Sequence, residues 1–131
     1  MSIADSSWRR GVRRLAFLAV LAAGAFAAPV LAHHGWSWAE DGNSELTGVV
    51  AAAKLGNPHG ELTLDVNGAK WIVEVGQPWR NERAGLKDEM LAKGAKLTVS
   101  GHRHADPKKR VFKAERVFIE GRKYDLYPDR D

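Results

Sequence analysis

Cysteine is absent from this sequence, which excludes both a disulfide framework and a thiolate metal site. Also missing are a nucleophile elbow, a Gly-rich phosphate loop and a metalloprotease helix, so the common hydrolase and nucleotide signatures are not available to it. Ser100, His104 and Asp106 are too generically placed to make a catalytic triad. No internal repeat or low-complexity linker divides the chain, and one domain is the simplest count.

Only one long apolar run is present, and it stands at the N-terminus. Arg9, Arg10, Arg13 and Arg14 precede an apolar stretch from Leu15 to Ala28, and Pro29 then breaks the helix before Val30-Leu31-Ala32. That order reads as a secretory signal with cleavage after Ala32. A cut after Ala27 is the alternative, because Ala25 and Ala27 also satisfy the small-residue rule. An uncleaved anchor is the other reading, since residues 15–32 carry no charge over 18 positions, near the lower limit for a span. The alanine richness, Gly24 and Pro29 favour a signal, so no stable membrane span is expected after processing. The arginine pairs admit a twin-arginine route, but Phe17 falls one place late for it, which favours the general secretory route. The expected divisions are a signal peptide at 1–32, an arm at 33–44 and a domain at 45–131.

A strong charge of one sign is lacking once the leader is set aside. Four of the 20 Lys and Arg and one of the 16 Asp and Glu precede His33, which leaves 16 against 15, a net charge of +1. A nearly neutral, periplasmic or secreted chain does not suggest a nucleic-acid partner. Its 99 residues from His33 onward must be held by one hydrophobic core, which is feasible at that size.

What the mature chain does contain is a succession of strand-like segments: Glu45 to Leu55, Glu61 to Val66, Ala69 to Val75, Lys96 to His104 and Arg110 to Ile119. Pro78 and Gly94 suit the two ends of a helix from Pro78 to Lys93. Asn67-Gly68 signals a two-residue type I′ turn. In that register Val66, Leu64 and Leu62 face Ala69, Trp71 and Val73 on an apolar layer, while Asp65 faces Lys70 and Thr63 faces Ile72 on a more polar one. The fourth strand turns Leu97, Val99 and Gly101 inward and Thr98, Ser100, His102 and His104 outward. The last strand changes apolar phase after Ala114, so it either bulges near Glu115-Arg116 or ends buried on both faces. Three strands, a helix and two strands give the order of an all-β protein with one short helix, a small five-stranded OB-like barrel. A half-open β-sandwich is the alternative.

All five histidines lie beyond the leader, and in a cysteine-free exported protein they are the natural transition-metal ligands. Cleavage after Ala32 would give His33 a free α-amine beside its imidazole. Together these can chelate copper(II), with a third nitrogen completing a T-shaped arrangement of the histidine-brace kind. The amine titrates near 7.7 to 8.0 in reference peptides, so affinity should rise with pH. His34 could bind through its imidazole and the intervening amide. The plainer reading is that both belong to a polar soluble arm.

His59 lies in the tight connection Gly56-Asn57-Pro58-His59-Gly60, where it could simply bond backbone. Extending the hairpin register places Glu61 directly opposite Glu74 on the outer face, with His59 two residues beyond. Facing carboxylates need compensation, which a metal, Lys54 or a neighbouring arginine could supply. His59, Glu61 and Glu74 are therefore a second candidate metal site. His102 and His104 share a strand face, but Arg103, Lys108, Lys109 and Arg110 beside them would repel a cation. Trp36 and Trp38 are expected to pack the arm onto the barrel, Trp71 to join the core and Trp79 to anchor the helix. The basic cluster from Arg103 to Arg116 suits a solvated face or, more sharply, an anionic ligand or envelope surface.

Ala32-His33-His34-Gly35, Gly56-Asn57-Pro58-His59, Trp71 to Glu74 and Gly94 to Gly101 together resemble the small secreted bacterial proteins of domain-of-unknown-function family 6152. The resemblance spans nearly the whole mature chain. It implies export and a single β-rich domain, with His33, His34 and His59 on the family's histidine motifs and His102 and His104 outside them. It names no substrate. The leading expectation is an exported binding domain holding a transition metal, copper first, through His33 with His34 and His59 as partners. The alternatives are an OB-type envelope module for a protein or glycan without metal, and a copper-dependent oxidative enzyme.

Overall fold

The computed structural model describes residues 36–130. Residues 1–35, which include the expected signal peptide and His33 and His34 of the expected arm, lie outside the described residues. Six strands and one helix follow the arm: β1 (Ser44–Lys54), β2 (Glu61–Val66), β3 (Ala69–Glu74), α1 (Pro78–Ala84), β4 (Lys96–Arg103), β5 (Val111–Ile119) and β6 (Arg122–Asp125). They are joined in the order β3-β2-β1-β4-β5-β6, and β3 also pairs with β5 in parallel. That last pairing closes the first five strands into a barrel, the OB-like architecture expected from their order. Among the described residues no helix is long and apolar enough to cross a membrane.

The hairpin register follows from its turn. Asn67 and Gly68 both take positive φ, 52° and 85°, as a type I′ turn requires. Every pair from Val66↔Ala69 to Glu61↔Glu74 falls where the alternation puts it. Leu62, Leu64 and Val73 are consequently fully buried. Leu46, Val50, Leu97, Val99, Phe112 and Val117 complete the barrel interior from the other three strands.

The helix is shorter than its sequence suggests. It ends at Ala84, and Gly85 follows in the left-handed region at φ 79°, where a side chain would be strained. Gly85 N–H bonds Glu82 O and Leu86 N–H bonds Asn81 O. This is a Schellman end, and Leu86 buries as its hydrophobic partner. A separate 3₁₀ turn, Asp88–Leu91, covers part of the expected remainder. The helix is fastened to the segment that follows β3 by Asn81, whose side-chain amide accepts from Gly76 N and donates to Gly76 O, as a neighbouring strand would. Trp79, expected to anchor the helix, is 51% exposed. Leu86 and Leu91 beyond the helix enter the core instead.

β5 does bulge. Ser100 pairs with Arg116 and Gly101 with Ala114, so Glu115 is the extra residue. Gly101 makes this approach feasible, since a Cβ there would stand 2.0 Å from Lys113 O. β6 was not expected from the pattern. It forms because Glu120 and Gly121, at φ 49° and 75°, make a second two-residue turn that folds Arg122–Asp125 back on β5.

Candidate functional site

The candidate site grows from the outer face of the β2–β3 hairpin. Glu61 and Glu74 are direct partners, as the register dictates. Closure of the barrel then adds a residue that the hairpin could not foresee. Lys113 is the partner of Glu74 in the parallel β3–β5 pair, and its ammonium donates to Glu74 Oε2 at 3.2 Å. The other oxygen of Glu74 is 3.1 Å from His59 Nε2, while Glu61 is 3.9 Å from the same nitrogen. Lys54 is the β1 partner of Glu61, but it is Lys113 and His59 that balance Glu74. The connection carrying His59 has a cis Asn57–Pro58 peptide. A shallow 160 Å³ cleft beside it is lined by Lys54 through His59 and by Glu61.

The arm reaches the same region from the other side. Glu40 N–H bonds Arg103 O, Ala105 N–H bonds Trp38 O, and Ala39 bridges His104 in antiparallel fashion. Trp38 stacks on His104 with ring centroids 5.2 Å apart. Trp36 meets His102 and Tyr127 edge-on at 5.4 and 5.2 Å. Arg130 and Lys113 lie 4.0 and 5.0 Å from its centroid, within range of cation–π attraction. Both tryptophans thus pack the arm onto the barrel. Burial pushes the Tyr127 phenol above its ordinary value of 10.0, with the Arg80 guanidinium over its ring opposing the shift.

Lys113 consequently joins two features that are far apart in sequence. Its ammonium touches Glu74, beside His59, and faces Trp36, the third residue after His33. Three extended residues span at most about 10 Å.

His102 and His104 do not form the exposed chelating pair that their spacing allows. His102 is buried: Nδ1 lies 2.9 Å from Glu40 O, and Nε2 lies 2.9 Å from Glu115 Oε1. The bulge is the cause, because it sets Glu115 against His102. His104 accepts from Asp106 N–H through Nδ1 and carries Trp38 on its ring. The basic cluster divides in the same way. Lys108, Lys109 and Arg110 are exposed, whereas Lys113 is buried against Glu74, and Arg116 bonds Glu115 and Asp125. Alternation alone hid both Lys113 and Glu115. The apolar phase change in β5 was the signal for the bulge.

Among the described residues no group of three or more His, Cys, Asp or Glu could hold a metal ion. His59 and Glu74 offer two donor groups, with Glu61 slightly farther, and the second oxygen of Glu74 is engaged by Lys113. Further nitrogens would have to come from outside this cluster. A family model described as "Family of unknown function (DUF6152)" matches residues 20–112, and no curated protein matches the chain.

Proposed function

For a chain that belongs to the DUF6152 family of unknown function, we propose an exported domain that holds a transition metal, copper first, at its N-terminus. In this reading cleavage after Ala32 frees the amine of His33, which binds with its own imidazole. His34 and His59 are the candidate further nitrogen donors, and Glu61 and Glu74 are candidate oxygen donors. Nitrogen-rich ligation of this kind suits copper(II).

The observation that carries the proposal is the seat of Trp36. Its ring lies beside Lys113, which bonds Glu74, which in turn faces His59. A mature N-terminus three residues further along would need no more than about 10 Å of extended chain to approach that cluster.

Copper(II) titration of the exported, processed protein tests the reading, with intact mass measured before and after. The expected result is a mass beginning at His33, one copper per chain and affinity above that of a scrambled arm peptide. Affinity no tighter than the peptide's would overturn it.

One observation favours a second reading, an envelope module that binds a protein or glycan without metal. Trp79 stands half exposed with the Arg80 and Arg83 guanidinium groups 4.4 and 5.2 Å from its ring. Aromatic and arginine side chains are the types enriched where partners dock. A processed protein that ignores copper but loses a partner on Trp79→Ala would support it.

A further inference from the structure

We propose that Glu115 is a positioning residue for the N-terminal arm, acting through His102 and Arg130 to fix Trp36 to Glu40 on the barrel. The inference rests on the metal reading for its functional consequence, but its structural part stands on contacts within the described residues.

Glu115 is the extra residue of the β5 bulge, and it is wholly buried. A carboxylate taken out of water without partners is strongly unfavourable, and this one is met by two guanidinium groups and an imidazole. Its Oε1 is 2.9 Å from His102 Nε2 and 2.9 Å from Arg130 Nε, and Oε2 is 3.3 Å from Arg116 Nη1. These donors come from β4, from the C-terminal segment and from β5 itself.

Two of the three also hold the arm. The second nitrogen of His102 faces Glu40 O at 2.9 Å, and its ring meets the Trp36 edge. The ring is thus held at both nitrogens, by the arm's backbone on one side and by Glu115 on the other. Arg130 lies 4.0 Å from the Trp36 centroid while it bonds Glu115. Arg116 completes the frame by donating to Arg130 O. One buried carboxylate therefore orients an imidazole under the arm's backbone and a guanidinium over its first described ring. Without it, each would keep an arm contact but lose the partner that fixes its direction. A chelate built at residue 33 depends on that direction, because a 1 Å error in ligand placement is enough to spoil a metal site.

Arg130 is partly exposed, so its replacement tests the clamp without emptying the barrel. Amide hydrogen exchange would be followed by NMR in the mature chain for wild type, Arg130→Gln, Arg130→Lys and Glu115→Gln, without metal. We expect the bonded amides of Ala39 and Glu40 to exchange at least tenfold faster in R130Q while the β2–β3 amides keep their protection, and R130K to recover part of the difference. E115Q should loosen the same two amides further. Copper(II) affinity should fall at least tenfold in R130Q and recover in R130K. Unchanged arm exchange in R130Q would overturn the proposal, as would an equal loss of protection across the whole barrel, which marks a general structural role. If wild type binds no copper but the arm amides respond as described, the metal reading fails and the clamp survives.

Discussion

Lys113 sits beside Glu74 in the parallel β3–β5 pair, its ammonium 3.2 Å from the carboxylate and both side chains largely out of water. Glu74 also faces Glu61 across the hairpin, so the cation offsets two like charges that the hairpin register forces together. Lys113→Met removes the cation and leaves the half-buried carboxylate with His59 alone. Breaking a buried pair from one side costs about 3 kcal/mol. The urea midpoint should fall accordingly with little change in slope; an unaltered midpoint would mean that His59 suffices to balance Glu74.

His59 and the free amine of His33 make separable contributions under the metal reading. Replacing His59 with Ala should weaken copper(II) binding about tenfold or more, within the range seen when a supporting metal contact is lost. One Ala inserted ahead of His33 should weaken it further, because the amine and imidazole no longer belong to one residue. His104→Ala should leave affinity alone, since that ring is engaged by Asp106 and Trp38. Calorimetric titration checks all three. An insertion without effect would shift attention to His59, Glu61 and Glu74 as the whole site.

Gly101→Ala places a methyl group against the β5 backbone rather than a movable side chain, with Lys113 O 2.0 Å away. Relief requires the bulge to open, and destabilisation of about 3 kcal/mol is expected, at the upper end of ordinary overpacking. Thermal unfolding measures it. A loss below about 1 kcal/mol would show that the bulge yields easily.

Acid sensitivity of the hairpin turn has a defined sign. The Lys70 side chain bonded to Asp65, with the Gly68 amide, holds the Asp65 carboxyl below its ordinary value of 3.8. A depressed folded value stabilises the fold above the unfolded pKa and ceases to do so as pH falls through the folded one. Wild type should therefore exceed Asp65→Asn in melting temperature above about pH 4, and the two curves should converge below it. The gap should be small, because the pair is exposed. Curves that stay parallel down to pH 2 would show that the ion pair contributes nothing.

The hairpin and the two-residue turn at Asn67-Gly68 were fully legible in the chain, because period-two alternation and a positive-φ dipeptide are local properties. The opposition of Glu61 and Glu74 followed from the same register. The OB-like strand order was legible too, and so was the packing of Trp36 and Trp38 onto the barrel. The end of α1 at Gly85 was written in the sequence but obscured by Gly94, a second glycine equally suited to cap a helix.

Other features had no local signature. That Lys113 rather than Lys54 balances Glu74 was decided by the parallel β3–β5 contact, which joins residues 39 positions apart. That His102 is a buried partner of Glu115, and not half of an exposed pair with His104, was decided by which of the two phase-change solutions β5 adopts. Alternation assigns a residue to a face of its own strand, but only barrel closure decides which charged groups that face meets. The sequence alone thus determined the first five strands, the Asn67-Gly68 turn and the candidate histidines. Tertiary structure decided that Trp36 lies against Lys113, the partner of Glu74, because that seat exists only when β3, β5 and the C-terminal segment have come together.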